Sequence, residues 1–231
     1  MEVIESKLEQ LFVNWKSQRD YEPFVDDGIL NYQKWLVSNP KIMFLLKESA
    51  DDFVKIRNFS VDITKGKGPH FWWNICYWKY LVNELYKGED PMFISQDNLP
   101  EVLFNNNVLD SIAYVNVKKS CENLSVSSDQ DILDFANRDK DFLGEQINLI
   151  NPDVVFCSNV TFVAYKLLFK EDGELIKINQ VCYRHKDRLI LCYNHPSYFQ
   201  IAGGRETLFN NLKKALLEGG NVLKQFSWGS K

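Results

Sequence analysis

The chain has 231 residues, of which 45% are apolar and 25% are charged, and this composition is ordinary for a soluble globular protein. The formal net charge of −4 argues against a protein that coats nucleic acid through its overall charge, although local clusters of basic residues matter more than the sum. The length fits one sizeable domain.

Neither secretion nor membrane spanning is indicated. The sequence has no basic segment followed by an apolar leader, and no apolar run of about 18 residues or more. Its cysteines are dispersed without a C-x-x-C pair, and those within apolar runs are typical of small buried side chains. We therefore expect a cytoplasmic protein in a reduced compartment.

The first half of the chain alternates helices with one strong strand. Apolar positions at helical spacing predict a helix over residues 2–18, and a second short helix is predicted from Asp27 to Ser38. Asn39-Pro40 ends that helix, and an apolar strand follows at 42–46. A heavily apolar helix is predicted from Phe71 to Tyr86, with enough apolar surface to be buried against a sheet.

The second half continues the alternation. Strands are predicted at 112–117, 153–157 and 189–193, because each is a short apolar run bounded by turn signals. Residues 127–129 are typical of a helix N-terminus, and they precede a long helix predicted over 130–149.

Strands that alternate with helices indicate a parallel sheet with helices on both faces. Three further elements complete the pattern: a helix at 161–169, an edge strand within 175–184 and a closing helix at 205–218. We predict an α/β protein with three layers, α/β/α, around a central, mainly parallel four-stranded sheet. It should be a single domain over 1–231, with N-terminal helices in 1–38 and the core in 40–218.

Polar residues stand where three of the predicted strands end. Glu48 follows the first strand, Asn116 lies near the end of the second, and His195 follows the last. In open α/β sheets, ligands bind in the crevice beyond the carboxyl ends of the strands. The three residues are therefore predicted to lie around one pocket.

These segments resemble the motifs of the uracil-DNA glycosylase superfamily. Lys47-Glu48-Ser49-Ala50 stands where that family has a short motif of Gly-Glu-Ala-Pro type, and His195-Pro196-Ser197 matches its late His-Pro-Ser motif without change. Asn116 follows an apolar strand, as the base-reading asparagine of the family does, and residues 151–155 are similar to a helix-to-strand junction between those motifs. The resemblance covers roughly residues 40–215.

The resemblance implies a role for each candidate residue. Asn116 would hydrogen-bond the Watson–Crick edge of a flipped base, and His195 would donate to the base as it departs with negative charge. Glu48, or Asp51 or Asp52 if their loop turns back, would position water or steady the sugar cation. Two serines would contact the substrate, Ser49 from the first motif and Ser197 at a DNA phosphate. Tyr198 or Phe199 would enter the duplex as a wedge. One aromatic ring, from Phe53, Phe71 or Trp72, would stack on the base.

Simpler structural roles are also open for the three central residues. Glu48 could be a solvated loop carboxylate or the partner of a helix cap, Asn116 a buried amide that ties two strand ends together, and His195 the cap of a loop. The sequence also departs from the family, because Lys47 and Ala50 replace its Gly and Pro. These departures favour a glycosylase-like module that binds nucleic acid without cleaving it.

The sequence predicts a DNA glycosylase that hydrolyses the N-glycosidic bond of uracil or another modified base. The alternatives are that non-catalytic binding module and a nucleoside- or nucleotide-processing enzyme on a similar sheet. DNA is the expected partner of a monomeric chain, through a basic rim predicted from Lys118, Lys119, Arg184, Lys186 and Arg188. No metal or cofactor is expected, because zinc-ligand spacing, an iron–sulfur cysteine set and a phosphate-binding glycine motif are all absent from the sequence.

Overall fold

The computed structural model describes residues 2–21, 23–49, 69–95, 109–120 and 127–228. Asp51 and Asp52, named from the sequence as alternative carboxylates, and Phe53, named as one of the stacking rings, lie outside these ranges. In the described part of the chain the strands are β1 (Gly28–Ile29), β2 (Ile42–Leu46), β3 (Ile112–Asn116), β4 (Val154–Cys157), β5 (Ile176–Lys177), β6 (Cys182–His185) and β7 (Arg188–Cys192). The α-helices are α1 (Glu2–Gln18), α2 (Tyr32–Leu36), α3 (Pro69–Lys87), α4 (Asp129–Arg138), α5 (Lys140–Ile150), α6 (Asn159–Leu168) and α7 (Gly204–Leu217).

The strands form one mixed sheet in the order β1-β3-β2-β4-β7-β6-β5. Its centre, β3-β2-β4-β7, is parallel, while β1, β6 and β5 join antiparallel to their neighbours. The mainly parallel arrangement of the four predicted strands is therefore confirmed. The chain reverses its winding direction between β2 and β4, and a crevice at such a reversal is the usual ligand site of an open α/β sheet.

Alternating side chains divide the interior into two apolar cores, one on each face of the sheet. Phe44 and Leu46 of β2 pack on the first face, with Trp78 of α3. Met43 and Leu45 point to the opposite face, where α1, α4, α5 and α6 supply the partners. Because a strand presents successive residues to opposite faces, a fully apolar strand predicts burial on both sides. The expected helices on both faces are confirmed.

The helix predicted from Asp27 to Ser38 is wrong in its first part. Gly28–Ile29 pairs instead with β3 as a two-residue edge strand. The helix itself covers only Tyr32–Leu36, and Asn31 begins it by accepting a hydrogen bond from the backbone N–H of Lys34 at 3.0 Å. A two-residue strand is too short to produce a periodic signal, so only its partner strand defines it.

The long helix predicted over 130–149 is two helices, α4 and α5, which break at Asp139. The Asp139 carboxylate is fully buried and accepts hydrogen bonds from Arg19 Nε at 2.7 Å and Tyr21 Oη at 2.8 Å. Those tertiary bonds fix the break, whereas the ends agree with the sequence: Ser128 forms a capping box, and Asn151 ends α5 with a φ of 50°.

Helix α3 is tied to the start of β3 by a buried lysine. Lys79 is 3% exposed, and its Nζ donates a hydrogen bond to the backbone oxygen of Ser111 at 2.7 Å. Burial lowers the pKa of Lys79 to about 7. The ordinary lysine value of 10.5 applies to the unfolded chain, so between these values the unfolded state binds a proton that the folded state does not.

We expect Lys79 to make folding stability depend on pH. As pH rises from 7 to 9, the free energy of unfolding of the wild type should increase relative to Lys79→Met by about 1 kcal/mol per pH unit, with about 1.4 as the one-proton limit. Urea denaturation of both proteins at pH 7, 8 and 9 measures this difference. A difference that stays constant across the range would contradict a neutral Lys79 in the folded protein.

Within the described ranges, no helix is both long enough and apolar enough to cross a membrane.

Candidate functional site

The sheet register brings three of the predicted site residues to the same edge of the sheet, the one formed by the C-terminal ends of the parallel strands. Leu46 pairs with Asn116, so β2 and β3 end together, and the pairing of Cys157 with Cys192 places the end of β7 at that edge too. Glu48 and His195 lie just beyond these strand ends. Asn116 ends β3 and His195 follows β7. These two strands are three strand spacings apart in the sheet, a separation of about 14 Å.

The loop after β7 holds the imidazole of His195 in a defined orientation. The backbone N–H of Ser197 donates to His195 Nδ1 at 3.2 Å, and the backbone N–H of Tyr198 donates to the His195 carbonyl oxygen at 2.8 Å. A ring nitrogen that accepts a hydrogen bond carries no proton, so in the neutral ring the proton is on Nε2. His195 therefore presents Nε2–H as a donor.

Asn74 of α3 holds this loop from the face of the sheet that α3 covers. Its side chain is 1% exposed, and Nδ2 donates to the carbonyl oxygens of Pro196 at 2.6 Å and Tyr198 at 3.0 Å. The sequence prediction did not include Asn74. Its signal was an amide inside an otherwise heavily apolar helix, where a buried polar group needs a partner.

Half-buried aromatic rings connect His195 with the strand that carries Asn116. The Phe71 ring centroid lies 6.0 Å from that of His195 and 5.9 Å from that of Tyr114. Trp72 lies 4.9 Å from Phe71 and 6.1 Å from Tyr114. The α3 end nearest the site thus carries an aromatic surface suited to a planar ligand.

Burial and a neighbouring cation keep His195 neutral. Desolvation lowers the pKa of His195 below the ordinary 6.5, and the positive charge of Lys47 lowers it further. Lys47 itself forms an ion pair with Asp129 at 2.5 Å, across to the start of α4. At neutral pH the imidazole is therefore an uncharged hydrogen-bond donor rather than a cation.

Glu48 is held at the start of α4 by Ser127. Oε1 accepts from the Ser127 backbone N–H at 2.8 Å, and Oε2 accepts from the Ser127 hydroxyl at 2.6 Å. The Lys118 ammonium lies 3.7 Å from Oε2 and donates to the Ser127 hydroxyl at 2.9 Å. This contact corresponds to the helix-cap partner considered from the sequence, and it keeps a carboxylate fixed near the crevice.

Asn116 is fully buried and bound to Asp27. The Asp27 Oδ2 atom accepts from the backbone N–H of Asn116 at 2.7 Å and from its Nδ2 at 3.0 Å. Within the part of the chain that the structure describes, Asn116 Oδ1 has no hydrogen-bond partner. By the alternation along β3, Asn116 faces the same side as Tyr114, which is the side of Phe71.

The predicted basic rim is wrong in its composition. Lys118 is 3% exposed and Lys119 is 0% exposed, because each contacts a buried carboxylate or hydroxyl, so neither ammonium is presented to DNA at the surface. The residues Arg184, Lys186 and Arg188 lie around the turn between β6 and β7, at the edge opposite His195. Arg188 there donates to Asn148 Oδ1 at 2.9 Å. These five cations do not line one surface.

The other predicted contact residues differ in exposure. Ser49 is buried, with 7% of its surface exposed, whereas Ser197 is exposed beside His195. Tyr198 is 39% exposed and Phe199 is 46% exposed, so the loop after His195 carries two exposed aromatic rings. Within the described ranges, no group of three or more His, Cys, Asp or Glu side chains is arranged to hold a metal ion.

No protein-family model matches the sequence, and no curated protein matches it. The residues and their geometry are therefore the basis on which a function can be proposed.

Proposed function

We propose that the chain is a DNA glycosylase of the uracil-DNA glycosylase superfamily, which removes uracil or another modified base from DNA. The observation that carries the proposal is His195, whose Nδ1 is occupied by the Ser197 N–H and whose ring lies against Phe71. A neutral imidazole fixed in this way offers Nε2–H to a ligand beyond the strand ends. The unchanged His-Pro-Ser segment supports the same assignment.

Hydrolysis of the N-glycosidic bond breaks the bond between the base nitrogen and the sugar carbon. The electron pair leaves with the base, the sugar carbon becomes cationic, and water adds to it with loss of a proton. A donor that faces the departing base stabilises the negative charge as it develops, and it accelerates the reaction only if it is already positioned. His195 has that property, because its orientation is set by the backbone of its own loop.

Recognition of the base falls to Asn116 and the aromatic rings. Asn116 offers a buried acceptor, Oδ1, that lacks a partner among the described residues, and an N–H of a base would satisfy it. Phe71 stands between the strand of Asn116 and His195 and provides a stacking face. An extrahelical base requires both an edge reader and a stacking surface.

Glu48 contributes negative charge near the expected position of the sugar. Ser127 fixes its carboxylate, so the charge is preorganised, but the Lys118 ammonium at 3.7 Å offsets part of it. We therefore assign Glu48 to electrostatic stabilisation of the sugar cation rather than to proton abstraction from water. The exposed Ser197, Tyr198 and Phe199 are the proposed contacts with the DNA strand.

A nucleoside hydrolase is the second candidate. The burial of Lys118 and Lys119 and the position of Arg188 remove three of the phosphate contacts expected of a DNA-binding surface. A free nucleoside carries no phosphate and needs no such contacts. A base-binding module without catalysis is favoured by the engagement of Glu48 by Ser127, together with the replacement of the family's Gly and Pro by Lys47 and Ala50.

The test is excision of uracil from oligonucleotides. We expect the purified chain to generate alkali-labile abasic sites in a uracil-containing strand, offered single-stranded and paired, and to leave the matched thymine strand intact. Fluorescence anisotropy at low salt should show binding to the same strands.

Each alternative gives a distinct result in these assays. Release of base from free uridine or deoxyuridine, without action on DNA, would replace the proposal with the nucleoside hydrolase. Binding to DNA without abasic sites, across strands carrying uracil, hypoxanthine and oxidised bases, would leave the binding module. Absence of binding and of activity on every substrate would exclude all three.

A further inference from the structure

A buried carboxylate stands directly behind the proposed base-reading residue. Asp27 immediately precedes β1, and its side chain is 0% exposed. One carboxylate oxygen, Oδ2, accepts both donors of Asn116, the backbone N–H at 2.7 Å and Nδ2 at 3.0 Å. The sequence gives no local hint of this contact, because 89 residues separate the two partners.

The second oxygen of Asp27 is equally occupied. Oδ1 accepts from Lys119 Nζ at 2.5 Å and from Gln146 Nε2 at 2.9 Å. Lys119 and Gln146 are also 0% exposed. Four donors thus converge on one carboxylate, and an ionised carboxylate is the form that accepts hydrogen bonds on both oxygens without donating any.

This arrangement fixes the side-chain amide of Asn116. A rotation by half a turn would bring Asn116 Oδ1 against Asp27 Oδ2, two acceptors at hydrogen-bond distance in a buried site, which is strongly unfavourable. Oδ1 must therefore point away from Asp27, where no described donor lies within hydrogen-bond distance of it and the buried Tyr114 hydroxyl is the neighbouring polar group. Gln146 Oε1 also lacks a partner in the described chain, but α5 packs on the face opposite Phe71.

We propose that Asp27 is a positioning residue, which holds Asn116 Oδ1 as a fixed acceptor so that the site takes bases that present a ring N–H on the Watson–Crick edge. Uracil and hypoxanthine belong to this lactam class, and so do thymine and guanine, so this acceptor discriminates only against bases that lack the ring N–H. Cytosine and adenine present an unprotonated ring nitrogen at the same place, so an acceptor would face an acceptor. A site built around a buried hydrogen bond rejects the analogue that cannot form it. This inference rests on the proposed function, with Asn116 as the edge reader.

The test compares base selectivity when the amide is released. Asp27→Leu removes the charge and both acceptor oxygens but leaves the Lys119 ammonium without its partner, so the informative protein is the double variant Asp27→Leu/Lys119→Met, which removes both buried charges and leaves no side-chain acceptor at position 27 for Asn116 Nδ2. The matched control is Asp139→Asn, which alters another fully buried carboxylate, one that is bonded to Arg19 and Tyr21 instead of Asn116. All proteins are assayed on otherwise identical strands with uracil or cytosine at one position.

We expect the double variant to lower the ratio of uracil to cytosine excision, measured as kcat/KM, by roughly tenfold or more, because the amide becomes free to present Nδ2. Asp139→Asn should keep the wild-type ratio even if it unfolds more readily. A ratio within twofold of wild type in the double variant would overturn the positioning role while leaving the glycosylase proposal intact.

A second measurement tests the positioning role of Asp27 without an activity assay. The side-chain NH2 signals of Asn116, assigned by their loss in Asn116→Ala, report the hydrogen bond to Asp27 directly. In the double variant these signals should move toward the positions of unbonded amides, whereas Asp139→Asn should leave them in place. Unchanged signals would overturn the inference, and a shift in an enzyme that excises no base would uphold the positioning while the proposed function fails.

Discussion

Replacement of His195 with alanine should lower the single-turnover rate of base release by about a hundredfold or more while changing DNA affinity little. The Nε2–H donor faces charge that exists only as the glycosidic bond breaks, so its loss affects the transition state more than the bound ground state. Quenched-flow or manual single-turnover assays on the preferred substrate measure the rate, and anisotropy measures the affinity.

Two further substitutions make this result specific. Asn116→Ala should weaken recognition of the base as well as its release, because Asn116 contacts the edge of the base in both states. His185→Ala is the matched control: His185 is a buried histidine bonded to Tyr165, at the opposite edge of the sheet, and its loss should leave the rate unchanged. An undiminished rate in His195→Ala would remove His195 from the mechanism.

The same mechanism has a pH dependence of known sign. Protonation of His195 places a proton on Nδ1, where the Ser197 N–H already points, and turns the fixed donor into a misplaced cation. Because the pKa of His195 lies below the ordinary 6.5, the rate should fall on acidification with its half-maximal point below pH 6.5. A half-maximal rate at or above pH 6.5 would contradict a lowered His195 pKa.

Lys119→Met should lower the free energy of unfolding by about 3–5 kcal/mol, the usual cost of leaving one member of a buried ion pair without its partner. Both side chains are 0% exposed, and Lys119 Nζ lies 2.5 Å from Asp27 Oδ1 and 5.4 Å from the centroid of Trp15. Burial lowers the pKa of Lys119, and the charge of Asp27 opposes that shift. Equilibrium denaturation in urea measures the loss.

The double variant Asp27→Asn/Lys119→Met should recover most of that stability. A neutral pair of similar volume avoids the desolvation of two ions, and methionine still fills the space beside Trp15. The two single variants and the double variant form a cycle, from which the coupling energy of the pair follows. A Lys119→Met protein as stable as the wild type would mean that the ammonium is not buried with Asp27.

The placement of the site at one edge of the sheet was predictable because its signals are local. An apolar run such as 42–46 predicts a buried strand by itself, and strands joined through helices run parallel, so Glu48, Asn116 and His195 had to follow strand ends at the same edge. The start of α4 at Ser128 was equally readable, because a capping box lies within four consecutive residues.

What each of these side chains contacts was decided only by the tertiary structure. The partner of Glu48 lies 79 residues away at Ser127, and that of Asn116 lies 89 residues away at Asp27. Lys119 was predicted to be a surface cation, since a lysine is ordinarily exposed. Its burial is stabilised by the carboxylate of Asp27, which lies 92 residues earlier in the chain. Apolar periodicity predicts which face of a helix or strand is buried. No local pattern in the sequence predicts which distant charged side chain will pair with another, because that pairing depends on how the helices and strands pack.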